Sequence, residues 1–305
     1  MTAEQILSGG AVAAEMVHEP WENRMSQSYS RRNFLALSAG AAGAAMAPWA
    51  TRARAAASDT GGFLLGMQSY SLRNYPVDKA IEHMRELGAQ SVEFFSGHFS
   101  LGSTPEQIAE MKKKTAAAGL KILGHGVNGF SKDHEANRRI FEFAKKAGIP
   151  NLSADPTEDS FDSLDKLVAE YDIRIAIHNH GPGARYDKID DVLKAIEGHD
   201  KRIGACADLG HYIRSAEDPV KAIHLFKGRL YGVHLKDFAE PRGNAPGTIL
   251  GKGQLDVEGV FKALKKVEFP ADAALSIEYE EHPDNPLADL KECMAVATAA
   301  AKKAG

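Results

Sequence analysis

The chain has 305 residues, of which 44% are apolar and 26% charged, and its formal net charge is -4. That size admits one large domain or two small ones, and the composition is that of an ordinary soluble globular protein. No basic block outside the N-terminal region provides the concentrated positive face with which a protein replaces nucleic-acid counterions, so no nucleic acid is expected as partner.

Taken in chain order, the first feature is Ser30-Arg31-Arg32-Asn33-Phe34-Leu35, which reads S-R-R-x-F-L. A weakly apolar stretch rich in Ala and Gly follows from Leu35 to Trp49, then Arg52 and Arg54, then a small-x-small site at Ala53-Arg54-Ala55 or Ala55-Ala56-Ala57. This resembles a twin-arginine export signal. Residues 1–57 are therefore expected to be an N-terminal extension and signal peptide, with Met25 an alternative start, and the mature protein is expected in the periplasm or elsewhere outside the cytoplasm. No apolar run after residue 60 is long enough to span a bilayer, so no membrane span is expected after signal removal. What is left, residues 58–305, has the usual length of a (β/α)8 barrel, about 250 residues.

That remainder alternates strand with helix. The β-rich runs lie near 63–68, 90–95, 120–125, 149–154, 173–178, 202–207, 230–235 and 274–279. Helical patterns lie near 76–87, 104–118, 133–147, 160–171, 187–197, 216–227, 256–267 and 286–303. Thr104-Pro105 and Asp218-Pro219 place proline in a first helical turn, and Gly88, Gly119 and Gly148 stop helices just before strands. Eight such repeats predict a closed parallel (β/α)8 TIM barrel, and no G-x-G-x-x-G supports a dinucleotide fold. The fourth strand is the weakest of the set, because Pro150 and Ser153 interrupt it. The two cysteines, Cys206 and Cys293, are too few for a disulfide framework and read as small buried hydrophobes.

Alternate strand residues face the barrel interior. In the fifth strand Ile173, Ile175 and Ile177 share one parity and face the helices, which turns Ala176 and His178 inward. The same count turns His234 and Lys236, Ser276, Glu278 and Glu280, Glu93 and Asp208 inward. Active sites of such barrels lie at the C-terminal ends of the strands. Glu93, His178, Asp208, His234 and Glu278 at one mouth are imidazole and carboxylate ligands suited to a divalent cation.

Several segments resemble the sugar phosphate isomerase/epimerase family, the xylose isomerase-like TIM barrels. They are Gly66-Met67-Gln68-Ser69-Tyr70-Ser71-Leu72-Arg73, Ser91-Val92-Glu93-Phe94-Phe95, Ile177-His178-Asn179-His180-Gly181 and Asp208-Leu209-Gly210-His211. Val233-His234-Leu235-Lys236-Asp237, Gly251-Lys252-Gly253 and Ser276-Ile277-Glu278-Tyr279 complete the set. The resemblance implies a metal held by Asp208, His234 and Glu278, with His178 standing where the epimerases have a glutamate. It further implies that Glu278 works as an acid/base group opposite His178 or His180, and that His211 contacts substrate. The family's arginine after the strand-seven histidine has no clear match; Lys236 or Arg242 are its nearest substitutes. Glu93, Lys236, Arg73 and His125 complete the expected substrate-binding set, and the metal is expected to be Mn, Co, Zn or Fe ahead of Mg.

The implied chemistry is removal of a proton from carbon beside a carbonyl through a metal-stabilised enediolate, followed by epimerisation or isomerisation. Elimination from a keto-polyol or 3-keto-glycoside is the alternative, and a non-catalytic sugar-binding barrel serving a sugar oxidoreductase is another. The expected ligand is a small sugar or keto-sugar, and a homo-oligomer is left open. An AP-endonuclease reading, prompted by the many histidines, is disfavoured by the acidic net charge and the export signal. The Gly- and Pro-rich segment from Phe238 to Gln254 is expected to cover the mouth.

Overall fold

The computed structural model describes residues 60–305; the export signal and the boundary at residue 57 lie outside the described residues. Seven strands arise from the expected runs: β1 (Leu65–Gln68), β2 (Ser91–Phe94), β3 (Lys121–Phe130), β4 (Asn151–Pro156), β5 (Arg174–His178), β6 (Ile203–Asp208) and β7 (Leu230–Leu235). After β7 comes a two-stranded antiparallel ribbon, β8 (Asp237–Phe238) and β9 (Gly247–Thr248), and then the last barrel strand, β10 (Ala274–Ile277). The barrel closes in the order β1-β10-β7-β6-β5-β4-β3-β2, and each neighbouring pair is parallel.

The helices are α1 (Val77–Glu86), α2 (Pro105–Ala117), α3 (His134–Ala147), α4 (Phe161–Tyr171), α5 (Ile189–Ile196), α6 (Leu209–Arg214), α7 (Pro219–Leu225), α8 (Val257–Lys266) and α9 (Leu287–Ala304). Their ends follow the sequence signals. Thr104 and Gln107 form a capping box with Pro105 in the first turn of α2, and Asp218 accepts from Val220 and Lys221 N–H at the start of α7. Gly88, Gly119 and Gly148 all have positive φ, the left-handed geometry that closes a helix without a Cβ penalty. Among the described residues no helix is long and apolar enough to cross a membrane.

The parity rule holds across the sheet. Val92, Phe94, Ile175, Ile177, Val233, Leu235, Leu275 and Ile277 are all buried in the layer between strands and helices; each is worth about 1.5–3 kcal/mol on transfer from water. The barrel interior is built differently. Its floor is polar: Asn151 donates to the carbonyls of Leu123 and Asp272, and the Arg174 guanidinium lies 5.0 Å from the Tyr231 ring centre. Above that the lining is small. A Cβ on Gly124 would stand 2.9 Å from Glu93 Cγ, and one on Gly232 would stand 2.7 Å from Cys206 Sγ. These glycines leave a hollow that longer polar side chains fill.

Three details differ from expectation. Pro150 falls just before β4, so the strand loses no ladder N–H, and Ser153 turns inward, where its hydroxyl meets Glu93. Strand β3 runs on to Phe130, with its register to β4 shifting between His125 and Asn128. The short helix α6 springs directly from the end of β6, ahead of the expected helical pattern.

Candidate metal centre

Asp208 is the last residue of β6 and the N-cap of α6. Its Oδ1 accepts the His211 N–H at 2.7 Å. Asn179, just past β5, accepts the Asp208 N–H at 2.8 Å and donates to its carbonyl at 3.0 Å, so the backbone here is clamped on both sides. Oδ2 is left pointing into the barrel. It lies 3.6 Å from His178 Nε2 and 3.8 Å from His234 Nδ1. Although Lys236 Nζ is 3.1 Å away, Oδ2 receives no hydrogen bond of good geometry.

His234 occupies the centre. Its Nε2 is 2.9 Å from Glu93 Oε2. Its Nδ1 is 3.0 Å from both Glu278 Oε2 and His178 Nε2. Glu93 is fully buried and also accepts from Ser153 Oγ and Ser276 Oγ. A ligand atom from each of His178, Asp208, His234 and Glu278 lies within 4.8 Å of the others. Glu93, Cys206 and His234 form a second, deeper group. There burial pushes the Cys206 thiol up, keeping it neutral, so the four-residue set is the one with cation-binding character.

Charges in the cluster are interdependent. Burial pushes the Asp208 carboxyl up, but His211 and Lys236 beside it outweigh burial and hold it well below the usual range. Burial acts the same way on Glu278, and Lys236 and His234 outweigh it. Burial opposes protonation of His234; the Glu93 and Glu278 carboxylates around it outweigh burial and raise it well above its ordinary value. A cation at Nδ1 therefore displaces a proton.

The donor set fits a divalent cation. With neutral imidazoles, Glu93, Asp208 and Glu278 against Lys236 leave a buried double negative charge, which must be neutralised. Asp208 Oδ2 is a buried acceptor that receives no hydrogen bond of good geometry. His234, with Nε2–H given to Glu93, presents a lone pair on Nδ1, the carboxylate–histidine arrangement that orients metal-ligating imidazoles.

A cavity of about 340 Å³ opens over this cluster. His178, His180, His211, Lys236, Glu278 and Glu280 line one side, and Tyr70, Phe95 and Val127 form an apolar lip on the other. Tyr70 is 38% and Val127 41% exposed, and the lip was not anticipated from sequence. Lys236 Nζ is 2.8 Å from both Glu278 Oε2 and Glu280 Oε1. His180 meets His178 edge-on at 4.6 Å between ring centres and stacks on His211 at 5.7 Å. Burial pulls His180 down to about 4 and His211 down to about 3, so both rings are neutral at pH 7.

Three expected substrate contacts are relocated. Glu93 is fully buried beneath the cluster and reaches His234, not the cavity. His125 is fully buried with Nε2 at 2.9 Å from the Phe99 carbonyl and Nδ1 at 3.2 Å from Asn128 Oδ1, so both ring nitrogens are committed within the protein. Arg73 donates to the carbonyls of Glu280 and Tyr70 and lies 4.6 Å from the Tyr70 ring centre, bracing the lip from behind. Arg242 pairs with exposed Glu240. His211 and Lys236 stand in the lining, as expected.

The segment after β7 is anchored by Asp237. Its Oδ1 accepts the N–H groups of Phe238 at 2.8 Å, Gln254 at 2.8 Å and Leu255 at 3.0 Å. Its Oδ2 accepts those of Gly251 at 2.9 Å and Gly253 at 3.0 Å. A second recess of about 240 Å³, bordered by Phe238, Gly243 and Thr248, adjoins the first through Lys236, Glu278 and Glu280.

The chain resembles known proteins over most of the barrel. Residues 81–299 match the family model described as a xylose isomerase-like TIM barrel. An inosose dehydratase of Clostridium botulinum is 26% identical over 261 residues, covering 73% of this chain and 82% of that protein. A 3-oxo-isoapionate decarboxylase of Pectobacterium atrosepticum is 24% identical over 183 residues, covering 54% and 64%. The crystal structure of a D-tagatose 3-epimerase-like protein superposes with a TM-score of 0.64 at 15% identity, covering 79% of this chain and 98% of that one. The chain belongs to the xylose isomerase-like TIM barrel family.

Proposed function

We propose that this protein is a metal-dependent lyase that eliminates water or another oxygen leaving group from a keto-polyol or keto-sugar. One observation carries the reading: the groups able to move a proton are unlike one another. Glu278 is tied to His234 and Lys236 inside the ion cluster, and His178 is drawn into the same cluster through Nε2. His180 stands outside it, facing the cavity as a neutral imidazole. Glu278 and His180 thus make an unlike pair, which suits elimination better than a matched pair of carboxylates would. The names of the inosose dehydratase relatives support elimination over isomerisation.

His178, Asp208, His234 and Glu278 would hold the cation. Once bound, it supplies Lewis-acid polarisation of the substrate's carbonyl oxygen. Neutral His180 takes the proton from carbon beside the carbonyl. The same imidazole, now charged, returns that proton to the departing oxygen. Lys236 is kept cationic by Asp208, Glu278 and Glu280 against the penalty of burial, and its positive charge at the cavity wall favours the oxygen where negative charge collects. The Tyr70, Phe95 and Val127 lip takes the apolar face of the ring and excludes water from that side.

The test is a reaction in D2O with protein loaded with manganese or cobalt, offered inososes and 3-keto-glycosides. Formation of an unsaturated ketone with release of water or aglycone is expected. His180→Gln should lower kcat by about 10²–10⁴-fold, and Asp208→Ala should abolish stoichiometric metal. Deuterium entering recovered substrate without elimination would instead establish the isomerase/epimerase reading, and no exchange across the panel would leave a sugar-binding barrel.

A further inference from the structure

Arg214, the last residue of α6, joins two loops at the mouth. Its Nε and Nη2 both donate to the Gly243 carbonyl, at 2.8 and 2.6 Å. Its guanidinium carbon lies 5.1 Å from the Phe238 ring centre. On the opposite side it lies against Gly181, where a Cβ would come within 3.0 Å of Cζ. The loop after β5 and the loop after β7 thus sandwich a side chain carried by the helix after β6.

The remaining contact bears on the cavity. Arg214 Nη1 is 3.4 Å from His211 Nδ1. A guanidinium has five N–H donors and no acceptor, so Nδ1 must be the accepting nitrogen and the His211 proton must sit on Nε2. Nε2 lies on the cluster side of the ring, 3.8 Å from Asp208 Oδ2. The His211 backbone is fixed independently through Asp208 Oδ1, and the ring's hydrogen bond comes from Arg214.

We propose that Arg214 is a positioning residue that holds His211 in the Nε2–H form, and that it does so while the loop carrying Phe238 and Gly243 is seated. Seating of the loop then presets a hydrogen-bond donor for a substrate oxygen, before substrate arrives. The proposal rests on the reading above only in treating His211 as a substrate contact. The tautomer and its dependence on the loop are properties of the protein without substrate.

Histidine-labelled, zinc-loaded protein, read by long-range ¹H–¹⁵N spectra, reports the tautomer directly. Hydrogen exchange of residues 239–247 reports the loop. Wild-type His211 is expected as the Nε2–H form. Arg214→Met removes the donors while keeping an apolar stem beside Phe238. It should give a mixture of tautomers and about 10–100-fold faster exchange in the loop, the scale of the two hydrogen bonds lost at Gly243. Gly181→Ala keeps the arginine but pushes it off its seat, and should shift both readouts in the same direction. His211 retaining its Nε2 proton in both variants, or loop and tautomer changing one without the other, overturns the proposal. Neither readout depends on turnover, so failure of the lyase reading would leave this result standing.

Discussion

A carboxylate as deeply buried as Glu93 is tolerable only if its oxygens are satisfied by donors. His234, Ser153 and Ser276 provide them, and the arrangement has a directional consequence. The bond from His234 Nε2 decides which imidazole nitrogen faces Asp208 and Glu278. Glu93→Gln can place an amide N–H where His234 needs an acceptor, freeing the ring to turn or change tautomer. Affinity for zinc or manganese, titrated calorimetrically into chelator-stripped protein, should fall about 10–100-fold with the circular dichroism spectrum unchanged. Unaltered affinity would show that the ring is held by something other than Glu93. Strand parity places Glu93 inside the barrel, but it does not reveal depth. The register shift between Val92 and Glu93 and the glycine opposite, Gly124, set the side chain below the mouth, and neither has a signature in the β2 sequence. His125 is misplaced for a related reason, since β3 changes register just beyond it.

At the level of elements, the ends of β6 and β7 do the organising. Asp208 ends a strand and begins a helix, and that double duty fixes which of its oxygens is free. Its D-x-x-H spacing is visible in sequence as a motif; the hydrogen bond that gives the spacing its meaning is visible only once α6 is seen to start there. Asn179 lies inside a quoted motif without an assigned role, because a clamp on the next strand's backbone leaves no periodic trace. Asp237 is the comparable device on β7. Its five accepted N–H groups draw both ends of the segment 238–255 onto the strand that carries His234 and Lys236. Asp237→Asn would turn an amide donor toward one pair of these N–H groups, each unsatisfied one costing about 1–3 kcal/mol. The variant should lose several degrees of Tm and admit protease within 238–255 while retaining bound metal. Resistance equal to wild type would assign the loop's order to its other contacts.

Across the whole molecule, strand-helix alternation and inward parity are legible because a barrel repeats one rule eight times. The same wholeness makes acid stability a collective property. His180 and His211 are pulled down to about 4 and about 3 by burial, and burial also lowers His98 and His125. In the unfolded chain these rings take up protons near pH 6.5. Between that pH and about 4 the unfolded state binds more protons, so stability falls as pH falls. The raised His234 adds no slope there, because its contribution is complete below its ordinary value and is lost only as pH rises. The lowered carboxyls of Glu93, Asp208 and Glu278 weigh in at still lower pH. Thermal melts of metal-free protein should show Tm declining from pH 6.5 to 4, and His180→Gln with His211→Gln should flatten that decline. An equal slope in the double variant would place the acid sensitivity elsewhere.

The hollow below the four ligands matters to anyone wishing to transplant this centre. A host barrel given only histidine, aspartate, histidine and glutamate at matching strand ends would have valines and leucines where this one has Gly124, Ser153, Gly232 and Ser276. No carboxylate could then reach up from underneath, and the central imidazole would be left to rotate. The portable unit is therefore two storeys tall, and its lower storey is a carboxylate, two serine hydroxyls and the room that two glycines leave.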